Sequence, residues 1–486
     1  MRWLRVLKWP ALVLGAVLVT LLAVRVWDSQ RGPPLERWHT FAPPELSADE
    51  LEATDWAGYL AAERAAFEAV RVEVEQKLDP EDRVPVNRFF AGSPVNPQRF
   101  ARNWNRSFML QPDRIPVGAV VLLHGLTDGP YSLRHVAQRY RERGWLAVGI
   151  RLPGHGTVPG GLTEVDWEDW LAASRLAVRE AQRRVGAAPL HLVGYSNGGA
   201  LAMKYALDAL ADPELARPDR IVLISPMIGV TAFARFAGLA GLPALLPAFA
   251  KAAWLNVLPE FNPFRYNSFP VNAATESYRL TRALQQQIVQ RERDGRLADL
   301  PPVLTLHSVP DATVSSRAVI DALYARLPAN GSELVLFDLN RDTDLGMLIR
   351  PAVETELARL LPPPPRRYRT SVVTNAGKGR AEVAEIVTEA GATDERVRPL
   401  GLDYPADVYS LSHVALPFPP SDGLYGSDPD PADDFGIHLG ALAARGERGA
   451  LIVDLDWLLR MSSNPFFPYL IGRIEEGIGA ATAVAR

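Results

Sequence analysis

Short apolar segments alternate with helical segments between about residues 105 and 228. The apolar segments include "VGAVVLLHGL", "WLAVGIRLPGHG", "PLHLVGYSNGG" and "DRIVLISPM", and helical patterns such as "WEDWLAASRLAVREAQRRVG" lie between them. Strands that are apolar on both faces must be covered on both faces, so the alternation predicts an α/β fold with a mostly parallel sheet flanked by helices.

The alternation stops near Gly229 and resumes at "PPVLTLHSVPD" and "SELVLFDLN". Residues 105–228 and 301–486 are therefore predicted to form the core, and residues 229–300 an insertion. That insertion begins with an apolar, small-residue-rich stretch and continues as a polar helical one. A second insertion, about residues 341–402, contains the proline run Pro362–Pro365.

The composition excludes several classes of site. The chain of 486 residues has no cysteine, which rules out disulfides, thiol nucleophiles and thiolate metal sites. Its formal net charge of −4 indicates no affinity for nucleic acid. No histidine spacing is typical of a metal site, and the Gly-rich segment "GHGTVPGG" lacks the lysine of a phosphate loop. We expect neither a metal nor a cofactor.

The N-terminus predicts a membrane anchor over residues 1–30. Arg2, Arg5 and Lys8 precede an apolar run over residues 9–24, and Arg25 follows it. A span needs about 17–25 residues, so the run suffices if Arg25 reaches the membrane surface and the next two residues extend it. The basic flank predicts a cytoplasmic N-terminus and a domain outside the cytoplasm, facing the periplasm at a bacterial inner membrane. A cleaved signal peptide and a buried helix are the alternatives.

Residues 31–104 are predicted to be a linker followed by a helical segment. The linker, residues 31–44, is polar and contains prolines. The stretch "SADELEATDWAGYLAAERAAFEAVRVEVEQKL" has a helical pattern, with Ser47 as a possible N-cap and Glu50 three residues later.

The pentapeptide Gly194–Gly198, "GYSNG", matches the pattern G-x-S-x-G. It lies between a predicted strand and a predicted helix, which is the setting that a nucleophile on a tight, strained turn requires. The following helix N-terminus favours negative charge near the serine oxygen. Ser196 is therefore the candidate nucleophile, and a plain helix N-cap is the alternative.

A nucleophilic serine also needs donors for the oxyanion. "LLHGLTDGPYS" places the His124–Gly125 pair directly after a predicted strand, where the loop turns a backbone N–H toward the reacting carbonyl. We assign this donor to Leu126 and the second donor to the backbone N–H of Asn197, the residue after the nucleophile.

Together, "GYSNG", "HGLTDG" and "RLPGHGT" resemble the α/β-hydrolase superfamily, most closely its monoacylglycerol lipase and carboxylesterase-like branch. That branch also includes serine peptidases of the proline-iminopeptidase type. The resemblance covers roughly residues 105–340 and the surroundings of His413. It implies a core sheet of eight strands, a helical lid after the sixth strand and the chain order serine, acid, histidine. The lid position matches residues 229–300, whose apolar face covers an acyl chain, touches a membrane or simply packs on the core.

This chain order reduces the number of candidate residues for the acid and for the base. Asp311 follows an apolar strand in "VLTLHSVPDATVSS", which is the family's usual setting for the acid, and Asp338 is the alternative. Only His413 and His438 follow Asp311. His413, after small polar residues and before a proline-rich loop, is the predicted base, although it lies much farther from the acid than in compact members. His124 is interpreted as a structural residue of its loop, as is the histidine of "RLPGHGT".

The resemblance implies a serine hydrolase that cleaves moderately hydrophobic acyl esters, such as acylglycerols, through an acyl-enzyme on Ser196. The alternatives are a serine peptidase, for which Glu260 and Glu276 are the acids near the lid that would bind an amine, and a non-catalytic membrane-tethered binding protein. The expected partners are a small ester and a membrane. The sequence does not indicate an oligomeric state.

Overall fold

Ten strands form one twisted sheet at the centre of the protein. The computed structural model describes residues 2–229, 241–442 and 451–484. In chain order the strands are β1 (Phe108–Leu110), β2 (Ala119–Leu123), β3 (Leu146–Ile150), β4 (Leu190–Tyr195), β5 (Arg220–Ile224), β6 (Trp254–Asn256), β7 (Phe269–Pro270), β8 (Val303–Ser308), β9 (Glu333–Phe337), β10 (Arg369–Asn375), β11 (Glu382–Thr388) and β12 (Glu395–Asp403). The sheet order is β1-β3-β2-β4-β5-β8-β9-β10-β11-β12, and β6 pairs separately with β7.

Seven neighbouring strands, from β3 to β10, run parallel, while β1, β11 and β12 are antiparallel to their neighbours. The helices are α1 (Arg2–Ser29), α2 (Arg37–Thr40), α3 (Ala48–Ala53), α4 (Trp56–Glu73), α5 (Arg134–Glu142), α6 (Trp167–Val185), α7 (Asn197–Ala209), α8 (Val271–Arg293), α9 (Ser316–Ala318), α10 (Pro351–Glu354), α11 (Glu356–Leu360), α12 (Leu455–Leu458) and α13 (Phe467–Val484). The predicted α/β class with a mostly parallel sheet is confirmed.

The apolar strands separate two hydrophobic cores. All five residues of β2 are buried, and successive side chains point to opposite faces of the sheet. Val121 and Leu123 pack into the core that contains α6 and α7. Val120 and Leu122 pack into the core that contains α5 and α13. Burial on both faces explains why the strands read as continuous apolar runs rather than as alternating ones.

The sheet has more strands than the resemblance implied. The resemblance implies eight core strands, and the sequence indicates an insertion at residues 341–402. The second half of that segment instead forms β10, β11 and most of β12, which continue the sheet beyond β9. Strands β10 and β11 are mostly buried and pair over residues Thr370–Asn375 with Val383–Thr388. The long interval between Asp311 and His413 therefore contains β9 and a three-stranded extension of the sheet.

The N-terminal segment packs against the core near "RLPGHGT". The predicted cap is confirmed, since the backbone N–H of Ser47 donates to Glu50 Oε2 at 2.9 Å in a capping box. The predicted single helix is nevertheless two helices, α3 and α4, because a new cap begins at Asp55, whose side chain accepts from Gly58 N at 2.8 Å. Farther along, the fully buried Arg151 is paired with Glu45 at 2.7 Å.

The insertion after β5 contains the β6–β7 pair and the long helix α8. Residues 230–240 of the predicted lid lie outside the described residues. Helix α8 packs against α7, the helix that follows Ser196, so the insertion lies directly over the sheet edge where the serine is placed.

The C-terminal end of helix α1 contacts the insertion. Arg25, which we expected at a membrane surface, donates instead from Nη2 to the backbone carbonyl of Ala252 at 3.3 Å. Lys251 Nζ donates to the carbonyl of Arg31 at 2.7 Å. Among the helices described here, none is long and apolar enough to cross a membrane. The placement of the chain outside the cytoplasm stays a prediction from the basic N-terminal flank.

A buried charge cluster holds the loop after His413 against α5. Asp422 is fully buried and forms an ion pair with Arg134. The same carboxylate accepts hydrogen bonds from the Tyr131 hydroxyl at 2.8 Å and from the backbone N–H of Tyr425 at 2.8 Å. Burial alone would raise the pKa of Asp422, but Arg134, His135 and the backbone N–H of Tyr425 hold that pKa well below its ordinary value.

We predict that Asp422→Asn lowers the free energy of unfolding by about 3 kcal/mol at neutral pH, because it removes the buried counter-ion of Arg134 and leaves only the partly exposed Asp433 to pair with that guanidinium group. The measurement is urea unfolding. Since the folded pKa of Asp422 lies below its ordinary value of 3.8, the wild-type advantage should be complete above about pH 4 and decline as the pH falls further. The control is Asp428→Asn, an exposed acid of the same loop; equal losses in both variants would contradict the prediction.

Candidate active site

Ser196 occupies a sharp corner between β4 and α7. Its backbone angles are φ 54° and ψ −117°, a conformation that residues with a side chain rarely adopt. Two backbone hydrogen bonds hold the corner: Ser196 N donates to Ile224 O at 3.0 Å, and Met227 N donates to Ser196 O at 2.9 Å. The turn is therefore fixed by strand β5 and the residues that follow it, and it presents the serine hydroxyl at the carboxyl end of the sheet.

Glycines make this corner possible. A Cβ on Gly194 would lie 2.3 Å from the carbonyl oxygen of Gly198, and a Cβ on Gly198 would lie 1.9 Å from the carbonyl oxygen of Leu123. A Cβ on Gly199 would lie 2.7 Å from the Cβ of Pro226. Strand β4, helix α7 and the end of β2 thus meet so closely that no larger side chain fits at these positions.

The structure brings Ser196, His413 and Asp311 into one chain of hydrogen bonds. His413 Nε2 lies 3.0 Å from Ser196 Oγ, and His413 Nδ1 lies 2.7 Å from Asp311 Oδ2. All three side chains are buried or nearly so. The Tyr195 ring lies beside the imidazole, with its hydroxyl 3.3 Å from the backbone carbonyl of His413. With a proton on Nδ1, the imidazole donates to the carboxylate and can accept the serine proton at Nε2.

The surroundings of Asp311 keep it ionised. Burial alone would raise its pKa, but the facing His413 and a backbone N–H donor hold that pKa well below its ordinary value. Asp311 Oδ1 accepts from the backbone N–H groups of Thr313 at 2.8 Å and Val314 at 3.0 Å. The carboxylate is therefore both charged and fixed in orientation, which suits a group that stabilises an imidazolium.

The alternative acid and base lie elsewhere. Asp338 Oδ2 accepts from Arg341 Nε at 3.0 Å and from the Thr374 hydroxyl at 3.0 Å. His438 Nδ1 donates to the backbone carbonyl of Gly423 at 2.8 Å. Neither residue contacts the Ser196 hydroxyl, so the structure assembles Asp311 and His413, and not the alternatives, around the serine.

The two predicted oxyanion donors are free to bind a ligand. Among the described residues, neither the backbone N–H of Leu126 nor that of Asn197 donates a hydrogen bond to the protein. Asn197 is the first residue of α7, where the N–H groups of a helix have no internal acceptor and point outward. Leu126 and Ser196 line the same cavity.

The insertion holds the loop after β2 that contains Leu126, called the oxyanion turn below. Thr127, directly after Leu126, has a φ of 62°. The backbone N–H of Tyr266 donates to the carbonyl of Thr127 at 2.8 Å, and the Tyr266 hydroxyl donates to the carbonyl of Gly154 at 3.1 Å. The insertion therefore positions the donor loop as well as covering it.

The two loop histidines are structural in this fold. His124 Nδ1 donates to the carbonyl of Gly125 at 2.9 Å, and its Nε2 accepts from the backbone N–H of Leu152 at 3.0 Å. Burial lowers the pKa of His124 to about 4, so its ring is neutral at physiological pH. His155 is also buried, and its ring lies edge-on to that of His124 at 5.0 Å.

A cavity of about 360 Å³ opens beside Ser196 and His413. Its walls include apolar side chains from the oxyanion loop, the residues after β5, the insertion and the C-terminal segment: Leu126, Met227, Phe269, Ala274 and Trp457. Two charged residues, Asp128 and Arg265, also line it. Burial raises the pKa of Asp128 to about 6, despite the nearby positive charge of Arg265.

Sequence reasoning did not identify several residues of this cavity. Asp128 lies inside the quoted "HGLTDG" motif, so its proximity to the oxyanion loop could have been inferred. Arg265 and Ser277 come from the insertion, and no motif marks them. Ser277 Oγ donates to Asn197 Oδ1 at 3.3 Å, a contact that depends on how α8 packs over α7.

His413 also lines a second cavity, of about 470 Å³, on its other side. Residues after β9, among them Leu345, Leu348 and Val353, contribute to its wall.

Within the described parts of the chain, no group of three or more histidines and carboxylates is arranged to hold a metal ion.

The strand order, the serine on a strained strand-to-helix turn and the insertion after β5 define an α/β-hydrolase fold. A family model described as serine aminopeptidase, S33 (Hydrolase_4) matches residues 114–340. This match includes Ser196 and Asp311 and ends before His413.

Two curated relatives match part of the chain. The thermostable monoacylglycerol lipase of Bacillus sp. (strain H-257) is 33% identical over 91 residues, which are 19% of this chain and 35% of that protein. The monoacylglycerol lipase of Mycolicibacterium smegmatis (strain ATCC 700084 / mc(2)155) is 32% identical over 95 residues, 19% of this chain and 34% of that one. The chain thus spans about a third of the length of these relatives.

Solved structures are also similar. A soluble variant of the monoglyceride lipase from Saccharomyces cerevisiae, in complex with a substrate analogue, is 14% identical, with a TM-score of 0.38 over 47% of this chain and 81% of that one.

We predict that Gly198→Ala disrupts the corner, because the new methyl group would lie 1.9 Å from the Leu123 carbonyl oxygen. The free energy of unfolding should fall by at least about 1–3 kcal/mol, which is the typical cost of overpacking a core. The control is Gly472→Ala on α13, where nothing lies within 4 Å of the added methyl group and stability should rise by about 0.5–1 kcal/mol. Chemical unfolding measures both, and a neutral Gly198→Ala would contradict the geometry described above.

Proposed function

We propose that this chain is a serine hydrolase that cleaves carboxylic esters, with Ser196 as the nucleophile, His413 as the general base and Asp311 as the orienting acid. The observation that carries the proposal is the unbroken chain of hydrogen bonds from Ser196 Oγ through His413 to Asp311, at 3.0 and 2.7 Å, at the wall of a ligand-sized cavity.

In the first half of the reaction, His413 Nε2 takes the proton of the Ser196 hydroxyl while Oγ forms a bond to the ester carbonyl carbon. The carbonyl oxygen becomes an oxyanion, which the N–H groups of Leu126 and Asn197 stabilise. Asp311 stabilises the imidazolium. The carbon–oxygen bond to the alcohol then breaks, the alcohol leaves with the proton from Nε2, and the acyl group stays on Oγ.

In the second half, His413 Nε2 takes a proton from a water molecule, and the water oxygen attacks the acyl carbon. The same two N–H groups bind the second oxyanion. The bond between Oγ and the acyl carbon then breaks, the proton on Nε2 returns to Ser196, and the carboxylic acid is released. Each proton is thus exchanged at the same nitrogen, and the buried Asp311 keeps the ring in one orientation throughout.

The substrate class follows from the cavity wall. Most of the wall is apolar, which suits the acyl chain of a moderately hydrophobic ester such as an acylglycerol. The curated relatives are described as monoacylglycerol lipases, which supports an ester of this kind. The apolar residues of the insertion are part of this wall through Phe269 and Ala274.

A serine peptidase acting at a free amino terminus is less well supported. Both acids suggested for binding an amine have other partners: Glu260 accepts from the backbone N–H of Ser268 at 2.8 Å, and Glu276 pairs with Arg279 at 2.9 Å. Neither lines the cavity. Of the two charged residues that line the cavity, Arg265 would repel an ammonium group, whereas Asp128 would attract one.

We predict that a fluorophosphonate probe labels the wild-type protein and does not label Ser196→Ala, since only an activated serine hydroxyl forms the phosphonyl bond. The same variant should lose hydrolysis of a p-nitrophenyl ester panel by a factor of about 10³ or more. Ser132→Ala, a buried serine outside the cavity, is the control for the loss of a hydroxyl. A folded wild-type protein that is not labelled would favour the non-catalytic binding protein.

We predict that Asp311→Asn lowers kcat by about 10³–10⁴, because the neutral amide neither orients the imidazole nor stabilises its charged form. Asp338→Asn serves as the matched control, since Asp338 pairs with Arg341 away from the serine. Steady-state kinetics on one neutral ester would distinguish the two acids. Comparable losses in both variants, or a larger loss in Asp338→Asn, would refute the role of Asp311.

A further inference from the structure

Arg265 is a cation without a direct ion-pair partner in the wall of the catalytic cavity. It is partly buried, and it lines the same cavity as Ser196 and His413. Its Nε is buried and has no hydrogen-bond partner. Among the described residues, Arg265 forms no ion pair, and no side-chain nitrogen of it donates to the protein. Most other buried arginines of this chain have carboxylate or carbonyl partners, as Arg88, Arg134 and Arg151 do.

The position of Arg265 is firmly held. Its backbone carbonyl accepts a hydrogen bond from Arg88 Nη1 at 3.2 Å. On either side of it, the ring of Phe264 stacks on Tyr131 with centroids 4.1 Å apart, and the backbone N–H of Tyr266 donates to the carbonyl of Thr127 at 2.8 Å. The main chain on both sides is therefore fixed to the core and to the oxyanion loop, while the guanidinium group is left free.

The guanidinium group of Arg265 is partly buried and has no direct ion-pair partner. Charges inside a protein are normally paired, and an anionic group of a ligand would supply the partner here. Asp128 is the other charged residue of the cavity wall, and the charge of Arg265 lowers its pKa, which burial raises, without a direct ion pair between them. Asp128 Oδ1 accepts instead from the backbone N–H of Gly129 at 2.9 Å. The donors of Arg265 are thus available to an acceptor that enters the cavity.

We infer that Arg265 binds an anionic group of the substrate, so that the preferred substrates are esters that also carry a carboxylate, such as monoesters of aliphatic dicarboxylic acids. The inference rests on the proposed function for the reacting ester. The planar guanidinium group presents parallel N–H donors that match the two oxygens of a carboxylate. Arg265 and Ser196 line one cavity whose wall also includes Leu126, Met227 and Phe269, and these apolar side chains would contact the methylene chain that joins the carboxylate to the ester.

The test compares matched pairs of p-nitrophenyl esters: the monoester of adipic acid with the hexanoate, and the monoester of suberic acid with the octanoate. In Arg265→Gln, the ratio of kcat/KM for the anionic ester to that for the neutral ester should fall by about tenfold or more, the usual size of a hydrogen bond to a charged group. Arg265→Lys should recover part of the ratio. Arg293→Gln, at the exposed end of α8, removes the same charge outside the cavity and should leave the ratio unchanged.

A binding measurement separates this inference from the proposed reaction. Calorimetry with the adipate monoester on Ser196→Ala and on Ser196→Ala/Arg265→Gln should give a Kd at least about tenfold weaker for the double variant. If esters are hydrolysed but neither the ratio nor the Kd depends on Arg265, the anion site is wrong and the hydrolase stands. If nothing is hydrolysed but the Kd still depends on Arg265, the reaction is wrong and the anion site stands. Thermal unfolding checks that each variant folds.

Discussion

The site depends on the backbone of one residue, Ser196, which is held at φ 54° between a strand and a helix. Such a conformation is strained, so it persists only because the surroundings determine it on every side. Gly194 and Gly198 allow β4, α7 and the end of β2 to approach within a distance that no Cβ would tolerate. That approach sets the hydroxyl at the sheet edge and leaves the N–H of Asn197, at the start of α7, without an acceptor among the described residues.

The base reaches this corner by a longer route than in a compact relative of the fold. After Asp311, the chain adds β10, β11 and β12 to the sheet before it returns with His413. The returning loop is then anchored by Asp422, whose carboxylate is paired with Arg134 on α5. Extra strands are compatible with the site because a sheet grows at its edge, away from the serine, and because a buried ion pair fixes the loop that comes back.

The insertion after β5 both covers and completes the site. Tyr266 holds the oxyanion turn through Thr127, and Ser277 contacts the side chain of Asn197. Between them, the insertion places Arg265 in the cavity wall. The same segment therefore supplies contacts that hold the loop after β2 and helix α7, and it also supplies side chains, such as Arg265 and Phe269, that line the cavity.

By itself the sequence determined the fold class, the serine, its turn and its neighbouring donor loop, because these depend on local patterns: apolar strands, helices and glycines at fixed spacing. The pairing of Asp311 with His413, rather than with Asp338 or His438, could be narrowed by chain order, but only the tertiary structure brings the two side chains within 2.7 Å. The three added strands, the broken N-terminal helix and the position of Arg265 were decided by tertiary packing. Contacts between residues that are distant in the chain have no local sequence pattern from which they could be predicted.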